Sequence, residues 1–320
     1  MKTKLLSLAS ILAVFNLNAV EIGPTGSGIE FGGFVDMFYQ SQDVAGSGNV
    51  DADTFDVGQV ELNLDFANGP VSVSVDYDIY SIDSQNDHDS SNDGNGADLE
   101  EAIITYDFGN GLSVTAGKML SYLGFEAYDP INMYQYSYAY DFKGSTGEAS
   151  GQNIYDAYDD GFSLDYGSDM FSFGIFYSAE NDGGMEYALA FTGVENLTVK
   201  AIMADWDDAY ETTTLWASYQ FDNLLLAFEV AERDAEPATE VDKEGWLLMG
   251  NYSFTDAVAL TLRYSEQEEG TDTYEKFTIS PSYVFNDNFS GLVEYSKYDQ
   301  DGATAVDIND LFAVELIYTF

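Results

Sequence analysis

The last ten residues alternate. Phe312, Val314, Leu316, Tyr318 and Phe320 form one apolar row, with Ala313, Glu315, Ile317 and Thr319 between them. A period of two puts such a row on one face of a β-strand. The ending Tyr-x-Phe recurs at Tyr106–Phe108, Tyr219–Phe221, Tyr252–Phe254 and Tyr283–Phe285, and a short polar turn follows each internal copy. A repeated unit constrains the fold more than any single motif, because every copy has to solve the same packing problem.

Sixteen strands are expected. The first eight are Ile29–Gln40, Phe55–Phe66, Val71–Tyr80, Leu99–Phe108, Leu112–Leu120, Gly161–Tyr166, Met170–Ser178 and Met185–Phe191. The second eight are Leu197–Ala204, Thr213–Phe221, Leu224–Arg233, Gly245–Phe254, Val258–Gln267, Glu275–Phe285, Phe289–Tyr298 and Asp310–Phe320. Short turns follow the even strands, and long acidic loops rich in Gly and Ser are expected after the odd ones. Each even strand ends in an aromatic, and rings prefer a membrane–water interface, so these ends read as one girdle of a membrane barrel. The fold class expected is all-β: a transmembrane, antiparallel, up-and-down β-barrel with short periplasmic turns and long outer loops. Closure follows because lipid cannot satisfy the N–H and C=O groups of an open edge.

The N-terminus agrees. Lys2 and Lys4 precede an apolar run over Leu5–Phe15, and Ala19 is a plausible cleavage point, so residues 1–19 read as a secretory signal peptide. Residues 20–320 then form a single outer-membrane barrel. No later stretch reaches the ~20 apolar residues that a spanning helix needs. Without Lys2 and Lys4 the chain carries 8 basic against 57 acidic side chains and no Cys. Nucleic acid is excluded as a partner, since binding it requires Lys and Arg against phosphate.

If the apolar row of each strand faces lipid, the alternate row faces the lumen. That places Asp36, Glu61, Asp65, Asp76, Asp78, Glu101, Asp107, Asp165, Glu186, Glu229, Glu294 and Glu315 inside, against Lys200, Arg233, Arg263 and Lys276. A charge facing lipid costs up to ~2–4 kcal/mol at mid-depth, so these rows imply a hydrated interior. Sixteen strands leave an aqueous channel where eight would be filled by side chains. The acidic excess should favour cations. Lys118 falls on the apolar row of its strand and is expected to snorkel to the outer interface or meet a neighbouring subunit.

The longest connection is loop 121–160, crowded with tyrosines and carrying Glu126, Asp129, Asp141, Glu148, Asp156, Asp159 and Asp160. It is expected to fold inward and narrow the channel. Its carboxylates, with Asp76, Asp78 and Glu101 of the wall, would face Arg233 and Arg263 and set a transverse field.

Leu99–Tyr140 supplies a family likeness. Glu101-Ala102, Tyr106, Ala116-Gly117-Lys118, Gly124 with Glu126, Asn132 and Tyr136-Ser137 resemble the corresponding segment of a β-barrel porin family of the Gram-negative outer membrane. More loosely, the strand number, signal peptide and terminal Phe320 resemble the trimeric general porins. That likeness implies passive diffusion through a homotrimer set in outer-membrane lipid and lipopolysaccharide. It also implies a C-terminal strand, ending in Phe320, that the barrel-assembly machinery reads.

Asp89, Ser91, Asp93 and Glu100 match the oxygen spacing of an EF-hand loop, with Gly94 at the turn, and are a candidate calcium site. No other cofactor is required. His88 is the only histidine, so a His-rich metal site is ruled out, and an enzyme is not expected. The reading is therefore a cation-preferring diffusion channel; the alternative is a non-conducting barrel serving as adhesin or scaffold, with acidic loops that bind divalent cations.

Overall fold

The computed structural model describes residues 20–21, 26–42, 53–81, 96–126, 129–142, 154–155, 157–179, 183–206, 209–235, 241–302 and 310–320. The signal-peptide assignment, His88 and the candidate calcium ligands Asp89, Ser91 and Asp93 lie outside the described residues, as do Tyr128, Glu148 and Asp156.

Sixteen antiparallel strands make the barrel. They are β1 (Ile29–Ser41), β2 (Asp53–Asn68), β3 (Val71–Ser81), β4 (Gly96–Asp107), β5 (Leu112–Leu120), β6 (Tyr158–Gly167), β7 (Phe171–Ser178) and β8 (Met185–Phe191). They continue as β9 (Leu197–Trp206), β10 (Tyr210–Phe221), β11 (Leu224–Ala235), β12 (Lys243–Thr255), β13 (Val258–Glu269), β14 (Asp272–Asn286), β15 (Phe289–Asp301) and β16 (Leu311–Thr319). Each pairs with its neighbours in sequence, and β16 pairs with β1 from Phe312↔Ser41 to Thr319↔Phe34, which closes the ring. Gly33 and Phe320 exchange backbone hydrogen bonds of 3.1 and 3.0 Å at the end of that seam. A two-residue strand, Val20–Glu21, pairs with Phe31 and Glu30.

The outer surface repeats the terminal pattern. Tyr106/Phe108, Tyr252/Phe254 and Tyr283/Phe285 each stand edge-on with centroids 4.9 Å apart on the outward face. These rings, with Phe221, Tyr318 and the aliphatic residues above them, are exposed, as an apolar belt must be when its solvent is hydrocarbon.

Three expectations change. Long loops do not follow every odd strand: β13 and β14 are joined through Gly270 and Thr271, with Gly270 at φ +62°. Glu266, Glu268 and Glu269 pair across that hairpin instead of forming a loop. Tyr158, Asp159 and Asp160 belong to β6, paired with Leu120, Met119 and Lys118, so the long connection is 121–157. The inward row is also not polar throughout. From β7 to β12 it includes buried Phe176, Ala188, Ile202, Trp206, Trp216, Leu247 and Met249, which pack against Tyr122, Leu123, Tyr140, Ile154 and Tyr155 of the loop. The outward face of these strands meets lipid, and their inward face mixes these apolar groups with the buried Glu186, Lys200 and Glu229 because it meets the loop.

Gly117, within the Ala-Gly-Lys motif of β5, has φ +136°, and a Cβ there would collide with the carbonyl oxygen of Ala102 on β4. Gly117→Ala should cost about 1–3 kcal/mol, read as a lower unfolding temperature in detergent. Unfolding at the wild-type temperature would contradict this strand geometry.

Candidate functional site

The loop between β5 and β6 touches inward side chains around much of the barrel, so it runs inside. Its entry is fixed by Tyr122, whose backbone N–H donates to Glu186 at 2.9 Å and whose hydroxyl donates to Asp165 at 2.8 Å. Lys200 stands among Glu186, Asp165 and the Trp216 ring, its ammonium 5.4 Å from that centroid. Farther on, the hydroxyls of Tyr140 and Tyr155 both donate to Glu229, the former at 3.2 Å. Burial, and then the charge of Glu229, push both phenols well above their ordinary range, so they remain donors at any working pH.

Arg263 on β13 is the hub. It donates to Glu126 at 2.6 Å, to the carbonyls of Ser137 and Tyr138 at 2.6 and 3.2 Å, and to Ser137 Oγ at 2.9 Å. Glu126 also accepts from Gln135 at 2.8 Å and from the Ala139 N–H at 2.6 Å. Ser137 in turn donates its N–H and hydroxyl to Glu294 of β15 at 3.0 and 2.5 Å. Lys276 of β14 reaches Asp141 and the Tyr138 carbonyl. The ends of this arc are held by Thr261, which donates to the Tyr134 carbonyl at 2.8 Å, and by Tyr136, which donates to Gln40 at 3.1 Å.

The wall from β2 to β4 is different. Gln59 directs one amide nitrogen at Glu61, Asp78 and Glu100, at 3.2, 3.0 and 3.3 Å. Asn63 donates to Asp76 at 2.7 Å and to Glu61. Glu61, Asp78 and Glu100 bring oxygens within 4.8 Å of one another, which is the cation-sized carboxylate group found among the described residues. Asp76 and Glu101 are half-buried, while Asp65 is exposed. Asp129 of the loop faces this wall. Burial, with the charges of Asp76 and Asp78, pushes its carboxyl up to about 7, against a lowering hydrogen bond from Asn132.

The expected transverse field is therefore rearranged. Arg263 is in direct contact with Glu126, Arg233 stacks 3.4 Å over the Tyr210 ring at the outer end of β11, and Asp141 pairs with Lys276. Asp129, Asp76, Asp78 and Glu101 do come together, but as acid facing acid. Contact wins over separation because an ion pair in a shielded interior needs its partner at hydrogen-bond distance to offset desolvation. Glu100 also lies elsewhere than expected. The β3–β4 register slips between Asp76 and Tyr77, a bulge that turns Glu100 inward toward Gln59 and away from the outer loop. Adjacent glutamates at 100 and 101 in a strand were the available signal, since strict alternation cannot send both inward. Lys118, on the outward row, meets Asp98 at 3.8 Å.

The comparisons with known proteins agree with this architecture. The family model described as "Putative beta-barrel porin-2, OmpL-like" matches residues 28–320. Outer membrane protein U of Vibrio parahaemolyticus is 34% identical over 148 residues, a match spanning 42% of this chain and 42% of that protein. Salmonella typhi OmpF, solved with daunomycin, has a TM-score of 0.67 at 16% identity, covering 94% of this chain and 100% of its own. The trimer form of Vibrio cholerae OmpT has 0.63 at 17%, covering 91% and 99%. The anion-selective porin of Comamonas acidovorans has 0.64 at 14%, covering 91% and 99%.

Removing the hub charge isolates Glu126. Arg263→Met should destabilise the barrel by about 3–5 kcal/mol, and adding Glu126→Met should recover part of that loss. Thermal unfolding in detergent measures both; a double variant no better than the single would show that the pair is not the relevant contact.

Proposed function

The chain belongs to the OmpL-like β-barrel porin-2 family of outer-membrane barrel channels, and from that premise we propose that it passes small hydrophilic solutes and ions by diffusion, with cations preferred and loop 121–157 as the constriction. One observation carries the preference: beside the β2–β4 wall the buried carboxylate of Asp129 faces Asp76 and Asp78. Carboxylates on both sides of a passage raise the local cation concentration and repel anions. The bases Arg263 and Lys276 are already committed to Glu126 and Asp141 and so offset little of that field.

In this reading the protein is not an enzyme, and no chemical step is assigned to its side chains. It is a homotrimer, in keeping with the trimer form of Vibrio cholerae OmpT whose fold it shares. On the outward face near the outer rim, Glu232, Glu244 and Glu268 stand directly opposite one another across β11, β12 and β13. Like charges so placed are unfavourable alone; divalent cations shared with lipopolysaccharide phosphates would relieve them. The strand ending in Phe320 is the segment offered to the barrel-assembly machinery.

Planar bilayers under a KCl gradient test the central reading. Stepwise conductance with a reversal potential of cationic sign is expected; absence of steps favours an adhesin or scaffold. Asp129→Asn should reduce the cation preference. Since the Asp129 carboxyl is raised to about 7, it is charged above that pH and neutral below, so acidification through about 7 should weaken selectivity in the wild type and less in the variant. An anionic or zero potential at high pH would remove the proposal.

A further inference from the structure

The seam between the first and last strands holds a second buried charge problem. Asp36 lies opposite Ile317 and Glu315 lies opposite Phe38, so the two acids are diagonal neighbours on the inner face. Diagonal pairs are about 7–8 Å apart at the backbone, within reach of these side chains. Asp36 sits at a bulge against β2, where the register slips between Val35 and Met37, and its carboxylate lies over Gly58. Both acids are almost fully buried, 3% and 2% exposed. Their surroundings are apolar: Phe34, Phe38, Ile317 and Leu292 line the inner face, and the ring of Tyr136 closes over Phe38 at 5.5 Å.

Among the described residues no cation pairs with either acid, and the Met37 N–H gives Asp36 one backbone hydrogen bond. Asp36 Oδ1 and Glu315 Oε2 have no hydrogen-bond partner and are out of reach of water. The charged groups acting on Glu315 are Asp36 and Glu294, both negative. Glu294 is satisfied by Ser137 and Ser296 and lies in the field of Arg263. The other titratable group facing the pair is Tyr136, whose hydroxyl already donates to Gln40; Gly58 and Gln59, opposite the bulge on β2, are uncharged.

Two ionised carboxylates packed together without water or a cation repel each other, and two acceptor oxygens cannot bond to one another. We propose that Asp36 and Glu315 share one proton, so that one carboxyl donates an O–H to the other carboxylate across the strand seam. A single proton satisfies both orphaned oxygens and leaves the pair with one negative charge. It needs no space that the apolar packing lacks, whereas a hydrated cation would. The seam becomes a pH-sensitive closure. The folded barrel holds one proton more than the unfolded chain, so stability is present at lower pH and declines as alkalinity strips the proton.

The test uses the full barrel in detergent. Its unfolding temperature is followed from neutral to alkaline pH for the wild type, Asp36→Asn and Glu315→Gln, and infrared difference spectra are searched for a protonated-carboxyl band. The wild-type temperature should fall with rising pH. Either amide is a permanent donor and should flatten that fall and abolish the band. Profiles parallel to the wild type, or a wild-type barrel without the band, would overturn the proposal, as would alkaline stability restored by added Ca²⁺ or Na⁺. Should neither variant fold, the protonated-carboxyl band that remains in Asp129→Asn, and its persistence until well above pH 7, decide.

Discussion

Hydrocarbon offers no hydrogen bonds, so each N–H and C=O along the wall must find a partner on a neighbouring strand. That requirement makes the β1–β16 seam as necessary as any hairpin, although its strands stand at opposite ends of the chain. Once the ring is closed, alternation leaves each strand with two solvents. The outward rings and aliphatic groups stay exposed because lipid receives them, and the inward row is released from the need to be apolar. The interior of this barrel is what the chain has made of that release.

It has made two unlike halves. Against β7 to β12 the loop fills the bore with rings and aliphatic groups, and the inward faces there carry a large apolar share beside their few charges. The loop is held by bonds that end on charged wall residues: Glu186, Asp165, Glu229, Arg263, Lys276 and Glu294. Buried charges of this kind are costly unless each is paired and hydrogen-bonded. Arg263, with Glu126 and the Ser137 and Tyr138 carbonyls around one guanidinium, meets that condition and ties the loop to β13. Opposite, from β2 to β4, the wall holds Glu61 and Asp78 buried and Asp76, Glu100 and Glu101 half-buried, and Asp129 is turned toward them.

Electrostatics thus divides the bore in two. Pairs that touch cancel most of each other's field at a distance, and the loop–wall contacts are of that type. The acids of β2 to β4 are bridged by Gln59 and Asn63, which orient them without neutralising them. A passage beside that wall, as proposed above, would keep a negative field, because Arg263 and Lys276 are paired with Glu126 and Asp141.

Local periodicity settled much of this in advance. The Tyr-x-Phe endings, the alternating rows and the turn residues are readable within a few positions, and the sixteen strands follow from them. The inward acids at 36, 61, 76, 78, 101 and 315 are equally local, because a period of two assigns a face to every residue of a regular strand. What broke the period was hidden: the bulge that turns Glu100 inward depends on strand pairing, and the apolar residues on the inner faces of β8 and β9, such as Ala188, Ile202 and Trp206, make sense only against the loop. The partners were hidden too. Arg263 and Glu126 are separated by 137 positions, and no pattern within either strand or loop names the other. Neighbours along the chain assign a face to every side chain of an unbroken strand; bulges, and which charges meet, follow from strand pairing and from where a long loop comes to rest inside a closed ring.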